Sequence, residues 1–351
     1  MIKSLKRATS VAMFAGMALL SCGMAVAQQK AEALLEFNYG IPNANHASVF
    51  VAQDLGLFEK AGLKPKFFIF QSGAPLLAGL KSEGLDVVTA GLALALALGQ
   101  NIPLKFVFWE ANSAVSEGLV VDPKSGIKSY LDLARAKKIG AATGTCAQVA
   151  LYMMAKKAGI EYSKLDVVNL PAPLLRNAFM SGSIDAGIAW PPFSLQLQSE
   201  GYPIVAFDSE YTPPGGLCPG LTAARPAYLK QHPEIGLKLV QVEAMAREAI
   251  AKNPQLAVDA YIKRQNLAPE VAKAVVEREC CDRGIPSFAQ QLDPKSPYSM
   301  TTKEGGLAEK LYVAIEALHA MKAIPEKIPL SIIQEAVDPT YLREYMKVTG
   351  K

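Results

Sequence analysis

Two segments of this 351-residue chain follow one pattern. Residues 74–92 read APLLAGLKSEGLDVVTAGL, and residues 172–191 read APLLRNAFMSGSIDAGIAWP. Each opens with Ala-Pro-Leu-Leu, its proline placed where a first helical turn tolerates one. Each then passes a Ser and reaches Asp86 or Asp185 ahead of a small apolar strand. The copies begin 98 residues apart, well beyond the roughly 20–50-residue period of a solenoid. A repeat at that distance predicts two similar lobes, each with a helix feeding a strand whose far end faces a shared cleft.

The flanking sequence extends this pattern. Leu34–Tyr39, Lys66–Phe70, Val87–Ala90 and Leu104–Trp109 are candidate strands of a first series. Leu119–Val121, Lys138–Ala141, Val167–Leu170, Ile184–Ala189 and Ile204–Phe207 are candidates of a second. Between them lie a helix entered at Asn45 or Ser48 and running to Lys60, a short helix over Ser129–Arg135, and a longer one over Cys146–Ala158. Strands alternating with helices predict α/β units around mixed, mostly parallel sheets. Residues 211–220, YTPPGGLCPG, break the alternation as a Pro/Gly-rich loop. Beyond it, Glu234–Lys252, Pro254–Gln265, Pro269–Arg283 and Lys303–Met321 carry helical apolar periodicity. They predict a helical tail wrapped around one lobe.

The first 27 residues carry the marks of an export leader. Lys3, Lys6 and Arg7 precede the apolar Ala8–Leu20, and Ala25-Val26-Ala27 forms an A-x-A cleavage site. The apolar run is shorter than the ~20 residues of a spanning helix. Leu19-Leu20-Ser21-Cys22 is the alternative, a rough lipobox that would anchor a lipoprotein through Cys22. The leader holds three of the 36 basic residues and none of the 32 acidic ones, so its removal takes the net charge from +4 to +1. Without a basic tract, nucleic acid is excluded as an expected partner. Cys146, Cys218, Cys280 and Cys281 remain in an oxidising compartment. Their pairing stays open among three connectivities, with the vicinal Cys280–Cys281 bond the most strained.

Chemistry-bearing residues gather at the predicted strand ends. Thr143-Gly144-Thr145-Cys146-Ala147 joins a strand to a helix, so backbone N–H groups and the helix dipole can hold an anion there without an arginine. An ordinary capped helix has the same appearance. The two tryptophans, Trp109 and Trp190, each end an apolar stretch, either as a wall of a ligand pocket or as core aromatics. His46, His232 and His319 fit no H-E-x-x-H spacing, and the chain has no G-x-S-x-G, Walker A or G-x-G-x-x-G motif. The remaining nucleophilic option is Cys146 meeting His46 across the cleft. The sequence implies no metal and no cofactor.

Several segments together resemble the periplasmic substrate-binding proteins of ABC importers for nitrate, sulfonates, taurine and thiamine precursors. They are Val51–Leu63 (VAQDLGLFEKAGL), Gly84–Gly91, Lys138–Ala147, Ser181–Phe193 and Arg225–Glu234. The resemblance covers nearly all of residues 34–265. It implies a two-lobed type II periplasmic-binding fold with the leader at 1–27. One lobe comprises 28–117 and 222–351, the other 118–221, with crossovers near Ser116–Leu119 and Leu217–Thr222. It further implies that Gly144, Thr145, Cys146 and Ala147 hold an anionic head group. Asn45, His46, Gly91, Leu92 and Trp190 would line the cleft, with Gln71, Ser72 and Trp109 beside them. Relatives often place an acidic residue directly after the tryptophan; here Pro191 stands there, which favours a ligand without a cation at that point.

The implied function is extracytoplasmic capture of a small organic anion, sulfonate-like or carboxylate, by a monomer. Lobe closure and delivery to an inner-membrane ABC permease would follow. Three alternatives share the fold: a pyrimidine-precursor binder, an enzyme resembling a thiamine-pyrimidine synthase, and a periplasmic ligand sensor. The synthases carry a longer cysteine cluster than Cys280-Cys281.

Overall fold

A computed structural model describes residues 33–217, 219–279 and 284–350. The leader, Cys22, Cys218, Cys280 and Cys281 fall outside these residues. The first series runs β1 (Leu35–Pro42), α1 (Ala47–Asp54), α2 (Leu57–Lys60), β2 (Leu63–Phe70), α3 (Gly73–Lys81), β3 (Val87–Ala90), α4 (Ala93–Gly99) and β4 (Lys105–Asn112). The second runs β5 (Gly118–Val121), β6 (Ile139–Ala141), α5 (Cys146–Lys157), β7 (Val167–Asn169), α6 (Ala172–Met180), β8 (Ala186–Ala189), α7 (Phe193–Ser199) and β9 (Ile204–Phe207). The chain then returns as β10 (Pro219–Ala224).

The strands form two five-stranded sheets, ordered β2-β1-β3-β10-β4 and β7-β6-β8-β5-β9. In the first, β10 runs antiparallel to β3 and β4, while β1 is parallel to β2 and β3. In the second, β5 runs antiparallel to β8 and β9, while β6 is parallel to β7 and β8. Each sheet therefore has one strand opposed to the other four, at the same place in the order. Every residue of β3 (VVTA) and β8 (AGIA) is buried, as expected of strands covered on both faces. Each sheet anchors its own core, with Val88, Phe106 and Leu221 in one and Ile139, Ile188 and Leu119 in the other.

The sequence repeat has one conserved job. The Asp86 carboxylate accepts the Asn38 N–H of β1 at 2.9 Å, and Asp185 accepts the N–H groups of Lys137 and Lys138 at 2.9 and 3.0 Å ahead of β6. Each aspartate thus fixes the entry of the parallel neighbour strand. The leucines have diverged: Leu76 is fully buried, whereas its counterpart Leu174 is 46% exposed.

Some expected elements differ. The helix anticipated from Asn45 or Ser48 to Lys60 is cut at Gly56, whose φ of +62° breaks the run. Ser129–Arg135 is a 3-10 turn over Tyr130–Arg135. The first passage between the sheets spans residues 113–117, between β4 and β5, and the second runs from Asp208 to β10. The two passages are tied where the Asp208 N–H donates to the Glu117 carbonyl at 3.0 Å. The tail includes helices Ile235–Lys252, Gln255–Gln265, Pro269–Glu279, Leu307–Ala320 and Thr340–Thr349. It covers the first sheet and also touches the second lobe, Leu307–Ala320 against α5 and Pro269–Glu279 against α7, so it does not serve one lobe alone. Among the described residues, no helix is long and apolar enough to cross a membrane.

Candidate functional site

A cavity of about 640 Å³, counted with the solvent space at its mouth, lies where the two sheets face each other. Its walls come from the ends of β1, β3, β4 and β8, the turn after β6, and the starts of β5 and β10. Crevices at the carboxyl ends of strands are where ligands bind in open α/β sheets. Trp190, directly after β8, closes the floor by donating its indole N–H to the Asn43 carbonyl at 3.2 Å. That bond spans the two lobes.

Four helices begin on this cavity. His46 precedes α1, Ser72 precedes α3, Leu92 precedes α4 and Thr145 precedes α5, and all four residues line the wall. No side chain caps any of these four starts. A helix leaves its first N–H groups without an intrahelical partner, and the dipole adds partial positive charge there. At α5 the Gly144 N–H is taken by the Gln148 side chain at 2.8 Å, and the Thr145 hydroxyl donates to the Ala142 carbonyl. Gly144 supplies the left-handed bend, at φ +70°, that turns the chain into the helix.

Among the described residues no lysine or arginine lines the cavity, and the ionisable residues that do are His46, Glu110 and Glu117. The His46 Nδ1 lies 3.1 Å from the Glu110 carboxylate, which also accepts from Ser48. The buried Nε2 on the other side of the ring has no hydrogen-bond partner among the described residues. Asn45 donates to Glu279 at 2.7 Å and to Ser113 at 3.2 Å. Burial pushes Glu279 up to about 7, against the opposing hydrogen bonds from Ser116 and Asn45. Glu117 is fully buried, and neither carboxylate oxygen has a protein hydrogen bond. Burial first, and the Asp208 charge second, push Glu117 well above the usual carboxylate range. Burial there thus favours its uncharged form.

Eight of the expected residues line the cavity: Asn45, His46, Ser72, Gly91, Leu92, Thr145, Cys146 and Trp190. Four do not. Gln71 is exposed, Gly144 is half-buried and Ala147 is buried, and none of the three lines the cavity. Trp109 is fully buried, packs edge-on against Tyr298 and donates to the Ala111 carbonyl at 2.7 Å. It is a core residue because its strand position points away from the cleft. Cys146 is in a disulfide, so its sulfur is not a thiolate facing His46. Glu110, Ser113 and Glu117 were not anticipated. Their signal was an acid or hydroxyl interrupting apolar sequence (FVFWE, SAVSEG) beside a strand end.

Comparison with known proteins places this geometry. The chain is 27% identical over 266 residues to a protein of Bacillus subtilis (strain 168) named for binding aliphatic sulfonates, covering 74% of this chain and 78% of the relative. It is 29% identical over 229 residues to the taurine-binding periplasmic protein of Escherichia coli (strain K12), covering 64% and 68%. The fold is similar to the alkanesulfonate-binding protein SsuA of Xanthomonas axonopodis pv. citri bound to MOPS, with TM-score 0.72, 19% identity, and coverage of 86% and 98%. It is also similar to the desulfurization enzyme DSZB, with TM-score 0.62, 14% identity, and coverage of 90% and 99%, so the fold itself serves both binding and catalysis. The NMT1/THI5-like family pattern matches residues 43–257, and the chain belongs to that family.

Proposed function

We propose that this chain is an extracytoplasmic solute-binding protein. It would close two lobes on a small organic anion and present it to an ABC permease in the inner membrane. The observation that carries this reading is the meeting of four helix starts without side-chain caps on one cavity between the lobes. Backbone N–H groups can hold a sulfonate or carboxylate there without a basic side chain. The two buried carboxyl groups are compatible with an anion, since Glu110 is turned to His46 and burial favours the uncharged form of Glu117. The relatives named for sulfonates and taurine support the same ligand class. A ligand touching both lobes favours the closed state by its differential affinity. A non-catalytic, monomeric, periplasmic protein fits this reading, and the engaged Cys146 sulfur is not free to act as a nucleophile beside His46.

The test is a thermal-shift panel of alkanesulfonates, taurine, small carboxylates, nitrate and aminopyrimidines. At least one anion should raise Tm, by about 2.7 kcal/mol of stabilisation at one hundred times its Kd. Trp190→Ala should weaken that anion by roughly tenfold or more, because the indole both walls the cavity and bridges to Asn43. A panel in which no anion stabilises the protein would sink the proposal.

A further inference from the structure

We propose that the bound solute carries a hydroxyl group as well as its anionic head, and that Glu117 and His46 are the residues that select it. This rests on the reading of the cavity as an anion site, and it adds a second functional group to the ligand. Both side chains border the cavity, Glu117 at 0% and His46 at 4% exposure. Among the described residues, neither carboxyl oxygen of Glu117 has a hydrogen-bond partner, and the His46 Nε2 has none either. A buried polar group left unpaired costs stability. The space that both residues border, and from which a partner can reach them, is the ligand cavity.

The two residues are held together at the crossover side. Glu279 accepts from Asn45 at 2.7 Å on one carboxyl oxygen and from Ser116 on the other. His46 follows Asn45 and Glu117 follows Ser116 in the chain, so one buried carboxyl group fixes the backbone beside each. A separate group of residues suits the anionic head. A Cβ on Gly73, which opens α3, would lie 2.5 Å from the Ala93 Cβ. A Cβ on Gly91 would lie 3.2 Å from the sulfur of Cys146, which opens α5. The starts of α3 and α5 thus approach one short stretch, residues 91–93, from the two lobes. Their first N–H groups suit a sulfonate or carboxylate. Two separate polar places call for a ligand with two polar groups.

The chemistry at Glu117 selects an alcohol. Burial favours the protonated acid, and the Asp208 charge acts in the same direction. A protonated carboxyl offers one O–H donor and a carbonyl acceptor. A hydroxyl both donates and accepts, so it can pair with that acid and with an imidazole nitrogen. An ammonium group only donates, and it would require Glu117 to give up its proton in a buried place. Pro191, where relatives often carry an acid, offers an amine no alternative partner. An alkyl chain would leave all three polar atoms unpaired. A site built to hydrogen-bond a hydroxyl rejects the analogue lacking it far more strongly than an apolar pocket rejects a methylene.

The experiment is titration calorimetry of the mature chain at pH 7 with two matched trios of probes. One is ethanesulfonate, 2-hydroxyethanesulfonate and 2-aminoethanesulfonate; the other is propanoate, 3-hydroxypropanoate and 3-aminopropanoate. In at least one trio the hydroxy member should bind about tenfold or more tighter than both others. Glu117→Leu should remove that preference, whereas Glu117→Gln should keep it, because an amide also donates and accepts. Melting temperatures check that each variant is folded, and the wild-type series decides if one is not. A plain or amino member binding as tightly as its hydroxy partner, or a preference that survives Glu117→Leu, would overturn the inference and leave the anion reading standing. Binding by no probe in either trio would overturn both.

Discussion

Two buried carboxyl groups at the lobe crossovers, Glu117 and Asp208, titrate far from their usual range. Asp208 is buried, and that burial raises its carboxyl from near 4 to about 7, although the neighbouring Tyr211 hydroxyl opposes the rise. In the unfolded chain the same group titrates near 3.9. As pH climbs above that value the unfolded state gives up its proton while the folded state retains it. The contribution to stability is therefore complete below about pH 4, falls through the interval up to pH 7, and is lost above it. Asp208→Asn should remove this decline. The variant should be more stable than wild type at pH 8, by on the order of 1–4 kcal/mol, and nearly equal at pH 3. Thermal melts between pH 3 and 8 check this, and parallel curves for the two proteins would contradict it. Neither Asp208 nor Glu117 looked special in sequence. An acid's ionisation depends on what surrounds it, and the second crossover's contribution came from a loop whose path the sequence left undefined.

At the scale of elements, helices seat on sheets through glycines. The Cβ that Gly140 lacks would lie 2.6 Å from Leu175 Cδ2, and that of Gly187 would lie 2.9 Å from the same atom. Leu175 of α6 thus settles into a slot made by missing side chains on β6 and β8. In the first lobe Leu85 fills the matching space over Gly40, at 2.7 Å. Gly140→Ala should destabilise by about 1–3 kcal/mol through overpacking, and Leu175→Ala by about 2–5 kcal/mol through the cavity it leaves. The double variant should cost less than the two singles together, by 0.5 kcal/mol or more. Denaturant unfolding of the four proteins measures that coupling, and strict additivity would mean the contact does not constrain the helix. The repeat was legible at this scale: its Pro, its Asp and its strand all keep their roles. The break at Gly56 was less so, because apolar periodicity continues through Leu57 and Phe58 while the backbone does not.

For the whole molecule, the question is what holds two lobes at one angle. Arg278, at the end of a tail helix, donates to the Val115 carbonyl at 2.6 Å and places its guanidinium 3.6 Å from the Phe207 ring centre. Val115 belongs to the first crossover and Phe207 leads into the second, so one side chain clamps both. Arg278→Ala should cost about 1–3 kcal/mol and shift ligand-free protein toward open forms. Arg278→Lys should not restore the clamp, because a point charge lacks the planar face and fork. Calorimetry and small-angle scattering on the same samples test both effects. Unchanged Tm and radius would show that the crossovers hold themselves.

The sequence by itself determined the local and the periodic: strands alternating with helices, a duplicated helix-to-strand unit, and turn residues that place helix starts at strand ends. Such features need only a few consecutive residues, and together with the family resemblance they named eight residues that line the cavity, among them His46, Thr145 and Trp190. Tertiary structure alone decided which of two similar tryptophans faces the cleft, since a strand offers both faces and burial chooses between them. It also decided that Glu110 and Glu117 border the cavity, that among the described residues no lysine or arginine lines it, and that the tail bridges both lobes. Those outcomes depend on residues far apart in the chain meeting at one place, and no local pattern encodes that distance.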